Sequence, residues 1–196
     1  MTFKPVDQGG DPSEVCNSQG KALYKPVEVQ WQKPISIAGE DKIDLPDEYL
    51  DPGYLYALVR NHGNAHQRDR IVYIGITNSL KQRFVNHPKV DEIRRARGST
   101  SISIGRVDFG KFSRIPKSGD HHRQAIEELE HIYIWTLWDD LWNEKKWFTL
   151  PGMGSNGGQA WNITNSGHKF SGRMPERIVY PWILVKPRRN RTIKNP

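Results

Sequence analysis

Several residues of this chain have the types and spacing needed to handle a phosphate ester. In "LKQRFVNHP" (80–88), Arg83 and His87 are four residues apart, so a helix would carry both on one face. They follow "RIVYIGI" (70–76), an apolar strand pattern that holds Tyr73 and breaks at Gly75. A guanidinium is a planar fork of donors that matches phosphate oxygens, and an imidazole exchanges protons near neutral pH. A second phenol, Tyr56, lies in "DPGYLYALVR" (51–60). Glu130 adds a carboxylate. At about 100° per residue, Ile126, Tyr133, Ile134, Leu137 and Leu141 fall within roughly 60° of it, which sets Glu130 near the middle of an apolar stripe. A carboxylate there is costly unless it is paired or bound to a metal, so an ion pair (with Arg83 as one partner) or a cation must account for it.

Those side chains need a scaffold. Residues 51–60 read as a turn and a strand, 61–69 as a polar loop and 70–76 as a second strand, together a hairpin with a tyrosine on each arm. A helix capped by Thr77 or Asn78 should run to about His87, ahead of Pro88. "TSISIGRVDFGKF" (100–112) alternates like a third strand, and "KPVEVQW" (25–31) like an edge strand. The clearest helix starts after Asp120, a fair N-cap, and is expected to continue to residue 146. Strand, strand, helix, strand, helix indicates an α+β fold, a small, mainly antiparallel sheet flanked by helices. The core is expected over 51–147, with extensions over 1–50 and 148–196.

Composition narrows the function classes. The 196 residues hold 36% apolar side chains and seven tryptophans, enough for a folded core. No run approaches the roughly 20 apolar residues of a membrane span, and the start lacks a signal-peptide pattern, so a cytoplasmic protein is expected. Cys16 is the sole cysteine, which rules out an internal disulfide or a cysteine zinc site. Of the net charge of +7, residues 1–50 contribute −4 (nine acids, five lysines) and the remainder +11. A basic body suggests a polyanionic partner, most simply nucleic acid.

Taken together, Tyr54-Leu55-Tyr56, Tyr73-Ile74-Gly75, Arg83 and the glutamate of "LEHIYIW" (129–135) resemble the motifs of the GIY-YIG nuclease superfamily. His87, one turn beyond Arg83, is similar to the arrangement in its restriction-endonuclease branch. Tyr54 stands where the family usually has glycine. The family's final asparagine matches Asn143, 13 residues after Glu130, or alternatively Asn162 in "AWNITN". The resemblance covers about residues 53–143. It implies a GIY-YIG-like core and a metal-dependent DNA endonuclease, restriction-like and sequence-specific. Tyr56 would be the general base, with Tyr73 or His87 positioning it and the water. Arg83 would bind the phosphate, and Glu130 would hold Mg²⁺, or Mn²⁺ in its place. The implied partner is double-stranded DNA and not a membrane, with a homodimer left open. A homing or phage-type nuclease, an inactive nucleic-acid-binding module of the same fold and a protein-interaction role are the alternatives.

Other features carry less. Trp135, Trp138 and Trp142 would form a second helical stripe, better suited to packing against the C-terminal segment or another subunit than to stacking bases. His121, His122 and His131 lack zinc-helix spacing, and "GSNGG" (154–158) has no Walker lysine. The loop within the hairpin is long enough to reach a groove, and the basic tail (186–196) could touch a DNA backbone.

Overall fold

The computed structural model describes residues 12–16, 18–37, 45, 53–62, 68–85, 87–110, 119–146, 149–152 and 160–181. The basic tail, the "GSNGG" loop, most of the hairpin loop and the Asp120 and His121 side chains lie outside the described residues. Among the described residues seven strands form one mixed sheet: β1 (Lys25–Trp31), β2 (Ile35–Ser36), β3 (Tyr54–Asn61), β4 (Arg70–Thr77), β5 (Ser99–Asp108), β6 (Trp161–Gly167) and β7 (Arg177–Tyr180). Their order is β4-β3-β5-β1-β6-β7, with β2 also beside β5. All pairs are antiparallel except β1 with β6. Among the described residues three α-helices complete the α+β fold: α1 (Leu80–Val85), α2 (Pro88–Arg95) and α3 (Gly119–Thr136).

β3 reads as a continuous apolar run because both of its faces are covered. Leu55, Ala57 and Val59 share a core with α3, through Ile126, Leu129 and Tyr133. Tyr54, Tyr56 and Leu58 face the opposite way and cluster with Leu80 of α1 and Val90 and Ile93 of α2. A bulge in the β3–β4 pairing, where Leu58 opposes Tyr73 but Val59 opposes Ile71, leaves Val72 without an opposite number. Consecutive residues Val72 and Tyr73 consequently both join the Tyr56 side, while Ile71 and Ile74 join the α3 side.

Four elements depart from expectation. The helix after the hairpin is two helices. Pro88 bars the preceding residue from helical geometry, so His87 is extended (φ −107°, ψ 101°) and becomes the N-cap of α2. Arg83 and His87 therefore do not share one helix face. The turn before α1 is built by Thr77 and Ser79, with Ser79 N donating to Thr77 Oγ1 at 3.2 Å, and not by a Thr77 or Asn78 cap. α3 stops at Thr136 instead of 146, and a 3₁₀ turn (Trp138–Asp140) follows. Continuing the helix would place Asp139 and Asp140 toward its negative end. Instead Asp140 binds Arg70 and Arg173, each at 2.9 Å, and Trp142 N donates to Val72 O at 2.6 Å on the open edge of β4.

β1 is the fourth departure: it is interior, gripped by β5 on one side and β6 on the other. The flanks of residues 51–147 are thus woven into the sheet, with Val29, Trp31, Trp161, Ile163 and Ile178 in the same core as α3. The three tryptophans are separated as well. Trp135 meets Tyr180 edge-on at 6.4 Å, Trp142 lies beside Arg60, and Trp138 is 61% exposed.

Candidate active site

The hairpin brings the two tyrosines together. Tyr56 is opposite Gly75, and a Cβ at Gly75 would lie 2.5 Å from both Cζ and Oη of Tyr56. Only glycine lets the Tyr56 ring lie across β4, where it stacks with Tyr73 (centroids 6.0 Å, planes 25° apart). Tyr56 is 0% exposed, whereas Tyr73 keeps part of its surface.

α1 and the bend before α2 supply the nitrogen groups. Tyr56 Oη and His87 Nε2 are 3.1 Å apart in a buried contact. Phe84, on α1, meets Tyr56 edge-on at 5.2 Å and stacks on His87 at 6.3 Å, so it fixes both rings. Arg83 lies close enough to both phenols to interact with each. The far end of α2 is anchored by Arg60, a fully buried guanidinium that continues the Tyr54-Tyr56-Leu58 alternation. It donates to the carbonyls of Ile93 and Arg97, to Ala96 O at 2.9 Å, and sits 5.8 Å from the Trp142 ring centroid. A cation at the carbonyl end of a helix complements its dipole. With that end held, the amino end presents His87 to Tyr56.

The electrostatics follow from burial and from two charges. Burial pushes the Tyr56 hydroxyl well above the usual phenol range, with the neighbouring Tyr73 adding to it and Arg83 opposing. Tyr73 is raised by burial and then by the Glu130 carboxylate, again against Arg83. Burial works against Arg83's own charge, but the neighbouring phenol oxygens outweigh this and raise its pKa. His87 is lowered by burial and by Arg83, so its ring is neutral at pH 7.

Glu130 approaches the phenols from α3, close enough for its charge to act on both. It lies at the margin of the buried stripe, one position beyond Leu129, with its side chain 14% exposed. Its ion-pair partner is Lys146 (Nζ to Oε2, 2.5 Å), in place of the Arg83 considered from sequence. The two asparagines meet different strands of the sheet. Asn143 follows the 3₁₀ turn and binds the backbone of Ile74 on β4. Asn162 lies on β6, where its Oδ1 accepts from Arg177 Nε at 2.7 Å, four strands from β4. Tyr56, Tyr73, Arg83 and His87 are thus brought together, Glu130 acts on the group by charge, and Asn162 is elsewhere.

Sequence reasoning missed three residues of this neighbourhood. Arg60 was legible as the inward position two after Leu58, and Phe84 as the neighbour of Arg83. Lys146 had no local signal, since it reaches Glu130 only because the chain leaves the helix at Thr136. Among the described residues no three His, Cys, Asp or Glu side chains cluster as a metal cage. A lone carboxylate still suits Mg²⁺, which commonly keeps several waters and takes its other ligands from substrate phosphates. No protein-family model matches the chain, and no curated protein or solved structure does either.

Proposed function

We propose that the protein is a metal-dependent DNA endonuclease of GIY-YIG type, hydrolysing phosphodiester bonds in duplex DNA in the manner of a restriction enzyme. The observation that carries this reading is the Tyr56–His87 contact, with Arg83 near both phenols beside it. A phenol pair, a neutral imidazole and a guanidinium on one side of a hairpin suit proton transfer next to a phosphate. A structural role alone leaves this concentration of polar groups without a purpose.

In this reading Arg83 binds a non-bridging oxygen of the scissile phosphate through its forked donors. Because Tyr56 has no exposed surface, the attacking water meets Tyr73. The water's proton passes to Tyr73 Oη, the Tyr73 proton to Tyr56 Oη, and the Tyr56 proton to His87 Nε2. The stacking of the two phenol rings and the 3.1 Å contact to the imidazole support this path. The relay avoids a free phenolate, which would cost roughly 4 kcal/mol at pH 7 even at an unshifted pKa near 10. Glu130 is the residue that would hold Mg²⁺ or Mn²⁺, which supplies a Lewis acid for the phosphate and the departing oxygen.

The deciding experiment is incubation of plasmid DNA with the protein and Mg²⁺, with sequencing of any new ends. Cleavage at defined sites is expected, abolished by chelator and by Glu130→Gln, while duplex binding by that variant stays within a few-fold of wild type. Gln keeps the shape but loses the charge that binds a cation. Near wild-type cleavage by Glu130→Gln rejects the metal site. Binding without any cleavage favours the inactive module.

A further inference from the structure

Glu130 shares its carboxylate with a residue that the activity does not otherwise require. Lys146 Nζ is 2.5 Å from Glu130 Oε2 and 3.4 Å from the carbonyl of Glu127. Its backbone is left-handed, φ +70°, a conformation that side-chain-bearing residues adopt at a cost. That cost is borne at the residue that turns a cation onto Glu130, in the segment just after Asn143 fastens the chain to β4. The Lys146 side chain is 32% exposed, so its ammonium can leave for solvent without the core rearranging.

The charges facing this pair are few. Arg83 engages the phenols on the other side of β4, and Glu127 is turned to Arg123 at 2.8 Å. His131 shares a hydrogen bond with Thr149 O at 2.8 Å and also faces the pair, feeling the charges of both Lys146 and Glu130 while burial lowers its pKa. Among the described residues, Lys146 is the cation that forms an ion pair with Glu130.

We infer that Lys146 sets the metal affinity of the site: it is a built-in competitor that a divalent cation must displace from Glu130. This rests on the reading of Glu130 as the metal-holding residue. A single carboxylate that keeps its ammonium gains little by exchanging it for a hydrated cation, so the free protein binds metal weakly. Substrate phosphates, by adding ligands, tip the exchange toward the cation. Lys146 in this way ties metal loading to DNA binding and restrains the idle site.

The test uses the full chain without DNA and Mn²⁺ as the probe, with free Mn²⁺ counted by electron paramagnetic resonance. Lys146→Met keeps an unbranched side chain at the left-handed position and removes the charge. Lys146→Arg keeps the charge, and far-UV circular dichroism checks that both fold. Lys146→Met should bind Mn²⁺ about three- to tenfold more tightly than wild type, the scale of losing a close, partly buried charge pair. Lys146→Arg should bind like wild type, and Lys146→Met combined with Glu130→Gln should lose the gain. If Lys146→Met binds no more tightly while Glu130→Gln still abolishes binding, Lys146 has no such role and the metal site stands. If no variant shows binding that depends on Glu130, the metal reading fails and this inference fails with it.

Discussion

Asn143 satisfies both hydrogen-bonding groups of one residue on a sheet edge: its Oδ1 accepts from Ile74 N at 3.1 Å and its Nδ2 donates to Ile74 O at 2.8 Å. Its carboxamide takes the place that another strand would occupy. Ile74 is the neighbour of Tyr73, so Asn143 holds β4 from outside beside that phenol.

Asn143→Ala leaves a buried peptide N–H and C=O of β4 unpaired, at about 1–3 kcal/mol for each unsatisfied group. Urea unfolding should show a loss of about 2–6 kcal/mol, with cleavage falling in proportion to the folded fraction and to the disorder of Tyr73. Asn162→Ala should leave the cleavage rate within about twofold, since its bond to Arg177 lies across the sheet. Equal kinetic damage from both changes would refute the assignment of Asn143 to the site.

Each hydroxyl in the proposed relay is a link in series. Tyr56→Phe and Tyr73→Phe should each lower single-turnover cleavage by at least about a hundredfold, the scale of a lost general base. The double variant should be little worse than either single one, because groups that act as a unit are not additive. Both changes remove one hydroxyl and should leave the fold intact. Multiplicative losses would show that the two phenols act independently.

Arg83 separates chemistry from docking. Arg83→Ala should cut the rate far more than the affinity, since losing one phosphate contact among several lowers the salt slope of binding by only about one unit. Lys should rescue poorly, lacking the two-pronged geometry. The measurement is paired: cleavage rate and salt-titrated binding on the same duplex. Equal losses would make Arg83 a docking residue.

The lowered pKa of His87 sets a pH dependence with a definite sign. Below about pH 6.5 the unfolded chain protonates this histidine while the folded protein resists it, so the unfolded state binds more protons. Stability held above that pH should therefore decline as pH falls toward the lower folded value, and His87→Phe should flatten the decline. The relay needs a neutral imidazole, so the acid limb of cleavage should also lie below pH 6.5. Chemical denaturation and rate profiles from pH 5 to 8 check both, and an acid limb above 6.5 would exclude His87 as proton acceptor.

Local chemistry made much of this protein legible in its sequence. The alternation of 51–60 and 70–76 marks the hairpin, the apolar run around Glu130 marks α3, and the phenols, Arg83 and His87 stand out by type. These follow from short-range rules of side-chain periodicity and proline geometry, although Pro88 was read only as a stop and not also as the start of α2. What the tertiary structure decided depends on partners distant in the chain. The end of α3 is set by Arg70, Arg173 and the open edge of β4, none of them visible in a helical wheel. β1 is interior because β6, more than a hundred residues later, pairs with it. Asn143 and Asn162 look alike in one dimension, and only the strand that each meets tells them apart. Lys146 comes to Glu130 across 16 residues through a left-handed turn. Periodicity reports which face a residue occupies, and pairing between remote segments decides what that face meets.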